Sequence, residues 1–273
     1  LTLADRWILS RLNGVIDGVT KALGHYRFNE AEALVYDFVW HDFCDWYVEI
    51  SKPQIIGKTR GATGMILINV LEESLKLLHP FMPFVTEAVW QNIKERDSIM
   101  TANWPVPDKK RVNKTAESEM DAIKEIVVSV RNLRSDMNIP HSTKLVARAV
   151  PLKKKIEGVL SAGRRYIIDL ANLEDLVIDK DFVKRRGFAS IVLENLNIFI
   201  SLEGVIDLDA ERKRLTKKKE SLESQLVFTE KRMKDRNFTE KAPEEVVNAE
   251  KDKCARITEQ IERLEITINE IQS

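Results

Sequence analysis

The stretch Val247–Ile271, VNAEKDKCARITEQIERLEITINEI, decides how the chain is read. Val247, Glu250, Cys254, Ile257, Ile261, Leu264, Ile268 and Ile271 recur in alternating steps of three and four, the seam of a coiled coil. Upstream, Leu208, Leu215 and Leu222 stand one heptad apart, with Leu226 and Met233 in the adjacent row. Between these limbs, Pro243 suits the first position of a new helix, and Glu244 and Glu245 suit its positive end. The pattern predicts two helices folded back on each other over 205–273. Residues 208–237 carry ten Lys/Arg against six Asp/Glu, and residues 238–273 carry five against nine, so a basic limb would lie beside an acidic one. At 1.5 Å rise, about 28 residues make a limb roughly 40 Å long. A competing reading zips the seam of one limb with another chain, giving a structural protein that dimerises through its coiled coil. The Pro243 turn and the opposite limb charges favour folding back within one chain.

Composition narrows the class. The 273 residues have zero formal net charge and 44% hydrophobic content, enough for a core. The balance excludes a simple polycationic nucleic-acid binder, though not local basic patches. Cys44 and Cys254, far apart, read as buried or seam thiols in a reducing compartment, and no Cys/His cluster has zinc spacing. No run reaches 18 apolar residues and no signal-peptide pattern opens the chain, so it reads as cytoplasmic with no membrane partner. Leu1 stands one residue before a helix start with no Met, which suggests a fragment.

Residues 1–140 read as an antiparallel bundle of five helices. Thr2 to Asp5 resembles a capping box, followed by Ile8, Leu12, Val15, Val19 and Leu23 at helical spacing. The second helix is predicted from Asn29 to the residue before Pro53, with Phe28, Ala31, Leu34, Val35, Phe38, Val39, Phe43, Trp46 and Ile50 inward. A Gly57–Gly64 turn leads to a third through Leu67, Leu71, Leu75 and Leu78, ended by His79-Pro80. Pro83 opens a fourth, with Val85, Val89 and Ile93 inward. Ser98–Asn113 reads as an extended strap, and the fifth helix spans Ala116–Met137. Residues 141–204 read as a small mixed α/β unit: strands at 145–150 and 176–178, short helices at 154–160 and 164–170, and a hairpin of 188–193 with 198–202. The fold class is thus mainly α, comprising bundle, small α+β unit and coiled-coil hairpin over 205–273.

The second helix holds the densest functional-looking set, Trp40 to Lys52. Aromatics beside polar and basic groups can stack on unpaired bases and reach phosphates. Equally, Phe43 and Trp46 fit a core, with Asp42, Asp45 and Glu49 solvated. The four histidines do not cluster, and no Ser or Cys lies near a plausible His base in sequence, so nucleophilic catalysis has no support.

Several motifs, in order along essentially the whole chain, resemble the valine branch of the class I aminoacyl-tRNA synthetases. Leu3–Leu12 is similar to the start of their anticodon-binding domain. Phe43-Cys44-Asp45-Trp46-Tyr47-Val48-Glu49-Ile50-Ser51-Lys52-Pro53, Leu77–Phe84 and Arg131–Pro140 resemble the valine-specific members, and Phe238–Val247 resembles the turn of their C-terminal coiled-coil arm. The zinc-binding cysteines usual in the isoleucine-specific members are absent. The resemblance implies the C-terminal part of such a ligase, its bundle on the anticodon stem and loop and its arm on the outer corner where D and T loops meet. It implies a valine-accepting tRNA as partner, no DNA partner and a monomer. ATP and magnesium chemistry would lie in preceding catalytic and editing domains, leaving no catalytic residue, metal or cofactor here; the family's two ATP-site motifs, His-Ile-Gly-His and Lys-Met-Ser-Lys-Ser, do not occur. A helix before Leu1 would supply part of the anticodon pocket.

Carried over, the anticodon-side candidates are Trp46, Tyr47, Val48, Glu49 and Lys52, then Arg131 and Arg134. These arginines reach a phosphate or pair with an acid on a neighbouring helix. On the arm the candidates are Lys231, Arg232, Lys241, Lys253 and Arg256, each with an intra-hairpin salt bridge as the alternative. The row Arg212-Lys213-Arg214 with Lys217-Lys218-Lys219 either tracks an RNA backbone or partners the acidic limb.

Overall fold

The computed structural model describes residues 1–57, 60–93, 97–205, 208–234 and 244–272. Packing divides the chain into two units, Leu1–Val127 with Val159–Leu170, and Val128–Gly158 with Ala171–Ser273. The pattern-based boundaries at 140 and 204 therefore differ from the packing division.

In the first unit, α1 (Leu3–Gly24) starts at a reciprocal capping box: Thr2 Oγ1 accepts from Asp5 N at 3.2 Å, and Asp5 Oδ2 accepts from Thr2 N at 2.9 Å. Its apolar stripe, including Trp7, Ile8, Leu12, Val15 and Val19, is buried. Next come α2 (Phe28–Asp37), a π-helical segment (Phe38–Val48) and α3 (Glu49–Ile56), joined end to end with helical dihedrals at both junctions. The predicted stop before Pro53 does not occur. Pro53 is exposed, so the carbonyl that its missing N–H leaves unbonded can be hydrated. The π segment also changes which residues point inward. Bonding from i to i+5 widens the turn, so the buried positions advance from Phe38 to Asp42 and Phe43, then Tyr47, then Ser51. Trp46, expected inside, is half-exposed.

Helix α4 (Arg60–Leu78) starts before Gly64 and buries Thr63, Ile66, Val70, Ser74, Leu75 and Leu77; Leu67, Leu71 and Leu78 sit at the margins. In α5 (Pro83–Ile93), Thr86 and Trp90 point inward, while Val85 and Val89 are exposed, a one-residue rotation from the predicted face. Trp90 joins Leu75 and Ile99 in a satellite core, with Leu71 and Ile93 against it. The strap is extended between two short 3-10 turns, Ile99–Thr101 and Lys109–Arg111. It is pinned by hydrogen bonds: Ser98 Oγ and Ile99 N donate to Glu87 Oε2 at 2.8 and 3.0 Å, Trp104 Nε1 to Thr20 Oγ1 at 2.9 Å, and Asn113 N to Ser10 Oγ at 2.7 Å. Helix α6 (Lys114–Asp136) follows, burying Ile123, Ile126, Val127 and Val130. Buried Asp42 ties three elements, accepting from Arg11 Nε at 2.7 Å and Lys124 Nζ at 2.9 Å. Lys124 Nζ also lies 4.2 Å from the Trp7 ring centroid, a cation–π contact.

The second unit contains a four-stranded sheet of β1 (Leu145–Pro151), β2 (Leu173–Ile178), β3 (Phe188–Leu193) and β4 (Leu196–Ser201), in the order β2-β1-β4-β3. β1 and β2 are parallel, whereas β4 runs antiparallel to both β1 and β3. One helix, α7 (Lys154–Ala171), links the parallel pair where two short helices were expected. Gly163 is a packing residue within it, because a Cβ there would overlap the Ile123 side chain.

Helices α8 (Leu208–Lys234) and α9 (Glu244–Gln272) pair with each other. Leu215 and Thr229 are buried on α8, with Lys219, Leu222, Leu226 and Met233 half-buried between and after them in steps of three and four. Ile257 and Leu264 are buried on α9, flanked by half-buried Val247, Glu250, Cys254, Ile261 and Ile268. Lys219 Nζ meets Glu265 Oε1 at 2.7 Å and Arg232 Nη1 meets Glu250 Oε1 at 2.9 Å. Advancing along one limb while receding along the other, these contacts make the pair antiparallel. The seam rows meet within one chain, as the intrachain reading requires. The predicted turn, with Pro243, lies outside the described residues. Among the described residues, no helix is long and apolar enough to cross a membrane.

Candidate functional site

The π segment and α3 separate the five anticodon-side candidates by burial. Tyr47 is fully buried; its hydroxyl donates to Asp5 Oδ1 at 2.8 Å, and its ring stacks on Phe43. Burial, then the Asp5 charge, pushes its pKa far above the ordinary tyrosine value. Tyr47 therefore holds α1 against the π segment, and the expectation of an RNA contact from its side chain is withdrawn. Trp46 and Val48 are half-exposed, with Lys124 Nζ 5.8 Å from the Trp46 ring. Glu49 and Lys52 are exposed and paired, Lys52 Nζ lying 2.6 and 2.7 Å from the two carboxylate oxygens. An exposed pair of this kind is worth about 0–1 kcal/mol, so Lys52 can exchange its carboxylate for a phosphate at little cost.

Beside Glu49 opens a cleft of ≈ 280 Å³ between α3 and α7, lined by Glu49, Ile50, Pro53, Gln54, Arg165, Tyr166, Asp169 and Leu170. Gln54 Nε2 donates to the Tyr166 hydroxyl at 3.3 Å, and Gln54 Oε1 accepts from Thr63 Oγ1 at 3.2 Å. Arg165 Nε is held by Asp169 Oδ2 at 2.8 Å. A planar guanidinium, an amide, a phenol and a carboxylate around an apolar floor can hydrogen-bond the edge of a splayed base. Sequence reasoning missed Arg165 and Tyr166. The available signal was the apolar period through Leu160 and Ile167, which turns the arginine outward.

Arg134 is a second correction. Its guanidinium is buried in the second unit and donates to Ala171 O at 3.2 Å, Asn172 O at 2.6 Å and Thr143 O at 2.8 Å. It bonds carbonyls just ahead of β1 and of β2, and burial lowers its pKa. This side chain is a staple and does not reach phosphate. Arg131 is exposed on α6. Cys44, read as buried, is exposed, whereas Cys254 is half-buried at the seam. Partial desolvation of its sulfur by neighbouring groups, then the Asp45 charge, raises the Cys44 thiol pKa, which disfavours a reactive thiolate.

On the arm, Arg232 is held across the pair by Glu250; Lys253 Nζ stands 3.8 Å from the same carboxylate, and Arg256 Nε donates to Asp252 O at 3.2 Å. Lys231 is exposed, and Lys241 lies outside the described residues. Nearer the start of α8, Lys213, Lys217 and Lys218 are exposed with no ion-pair partner among the described residues, whereas Lys219 is engaged by Glu265 and Glu223. Among the described residues, no three His, Cys, Asp or Glu are grouped to hold a metal ion.

Two family models match the chain in order. Residues 5–150 match the anticodon-binding domain of tRNA ligase, and residues 207–272 match the valyl tRNA synthetase tRNA binding arm. Among curated proteins, the chain is 36% identical to a valine–tRNA ligase of Thermotoga maritima over all of its own length and 31% of the relative's. It is 39% identical to that of Syntrophotalea carbinolica and 37% to that of Carboxydothermus hydrogenoformans, over 96% and 97% of this chain and 30% of each relative. The chain thus spans less than a third of the length of these relatives.

Proposed function

This chain belongs to the family of tRNA-ligase anticodon-binding domains, and from that membership we propose that it is the tRNA-gripping part of a valine–tRNA ligase. The observation that carries the reading is the succession of the two matches, an anticodon-binding domain followed by a tRNA-binding arm, on one chain. In this reading the bundle engages the anticodon stem and loop at the Trp46–Lys52 ledge and the α3–α7 cleft, and α8 and α9 grip the outer corner of a valine-accepting tRNA. In the same reading, ATP-dependent aminoacylation, with its magnesium, is carried out by catalytic domains of the whole ligase. The protein acts in the cytoplasm as a monomer.

The test is a salt titration of binding to a valine tRNA transcript and to one with a changed anticodon. The logarithm of a phosphate-driven affinity falls linearly with the logarithm of salt. A steep slope with weaker binding of the changed transcript is the expected result. Equal binding of both would confine the contact to the backbone, and no binding to either at low salt would overturn the reading.

A further inference from the structure

The outward side of α2 and the start of the π segment carries a surface that the RNA reading does not use. Glu32, Tyr36 and Trp40 follow one another at four-residue spacing, which lines them up along one helix face. Tyr36 is 55% and Trp40 54% exposed. Their rings lie nearly parallel, 6° apart in plane with centroids 6.3 Å apart. Asp37 stands next to this row, and both it and Glu32 are exposed with no ion-pair partner among the described residues.

The charge around the rings selects the kind of partner. Residues 28–56 hold six carboxylates and a single lysine. Three of the carboxylates are answered: Asp42 by Arg11 and Lys124, Glu30 by Arg27 at 2.8 Å, and Glu49 by Lys52. Asp45 has His41 at 3.3 Å. Glu32 and Asp37 remain as uncompensated negative charge beside the two rings. Aromatic platforms for single-stranded nucleic acid combine stacking with a positively charged track for the backbone. Here the track has the opposite sign, and a phosphate brought to the rings would be repelled.

We propose that the Glu32–Tyr36–Asp37–Trp40 face is a docking surface for an arginine-bearing protein segment. The planar guanidinium stacks on an aromatic face and pairs with carboxylates at the same time. Rings flanked by free acids offer both contacts, and the alternating order of acid and ring along the helix suits a segment lying along it.

The experiment uses the whole chain, labelled with nitrogen-15, and reads the indole N–H peaks of its five tryptophans. Trp40→Phe assigns the Trp40 peak. The probes are an octa-arginine peptide, an octa-lysine peptide of equal charge, an octa-glutamate peptide and a tRNA transcript. Octa-arginine is expected to move the Trp40 peak saturably and to bind several-fold tighter than octa-lysine. Glu32→Gln with Asp37→Asn, and separately Tyr36→Ala, which keeps the Trp40 reporter, should each weaken octa-arginine binding about tenfold, the scale of a partly desolvated cation–π contact. All four side chains are exposed, so circular dichroism should be unchanged in these variants. Equal binding of the arginine and lysine peptides, or unchanged binding after ring removal, would reduce the surface to diffuse charge attraction and overturn the proposal. A Trp40 peak moved by the tRNA transcript and not by octa-arginine would overturn it in favour of an RNA contact. Because that readout is local to Trp40, it separates this proposal from tRNA binding elsewhere on the chain.

Discussion

Both carboxylate oxygens of Asp5 are occupied, Oδ2 by the backbone N–H of Thr2 and Oδ1 by the hydroxyl of Tyr47. Tyr47→Phe keeps the ring and leaves Oδ1 buried without its donor, which costs about 1–3 kcal/mol. Urea unfolding should show that loss, and tRNA affinity per folded molecule should not change; weaker affinity at unchanged stability would return Tyr47 to the interface. Glu117 gives a pH test. Burial alone would raise its pKa, but hydrogen bonds from Lys114 and Ser10 and the charges of Lys114 and Arg11 outweigh this and hold it below the ordinary value of 4.5. A lowered folded pKa means that the unfolded chain binds more protons in this range, so the contribution is complete above about 4.5 and fades as pH falls through the folded value. Glu117→Gln should therefore flatten the acid limb of a melting-temperature profile and leave its neutral limb parallel to that of the parent. At this scale the sequence carried the Thr2–Asp5 cap, because its partners are three residues apart. Arg134 was not legible, because the carbonyls that hold it come from residues up to 38 positions away.

Elements were legible where the signal is local and periodic. The heptad rows of α8 and α9 appear as buried and half-buried rows, and the proline-marked strap is extended between its two 3-10 turns. The faces of α4 and α5 were not, because those helices contain more apolar residues than the core accepts. Leu67, Leu71, Val85 and Val89 compete with Ile66, Val70 and Trp90, and only packing decides. The π register was hidden for another reason: composition does not mark a switch from i+4 to i+5 bonding, and this switch sets Tyr47 inward and Trp46 half outward. For the arm, Ile261→Pro removes an interior hydrogen bond and clashes with the preceding turn. It should lower helical circular dichroism and leave the bundle's own melting transition in place; unchanged helicity would count against the paired α8 and α9. Lys219→Glu should loosen the pair by facing Glu265 with a like charge, and Lys219→Glu with Glu265→Lys should restore part of the loss.

For the whole molecule, the organisation of bundle, small sheet and helical arm was legible in order, because each part has its own period. Its division into packing units was not, because α6 and α7 each contribute residues to both. The same distinction applies to the proposed grip of the arm on RNA. Of the candidate cations chosen by position on its distal half, Arg232 and Lys253 meet Glu250 and Arg256 donates to a backbone carbonyl. Withdrawing Arg232 would expose the need of Glu250, a half-buried seam residue that also serves Lys253. Lys213, Lys217 and Lys218, nearer the start of α8, have no such obligation among the described residues. A phosphate can be bound there without breaking a pair, and each phosphate neutralised contributes about −0.7 to −0.9 to the slope of log affinity against log salt. Replacing these three lysines by alanine should therefore weaken tRNA binding and make the slope shallower by roughly 2, at unchanged melting temperature. Arg232→Ala should instead act mainly on arm stability and leave the slope close to that of the parent. A shallower slope for Arg232→Ala with an unchanged slope for the triple variant would move the grip back to the distal half.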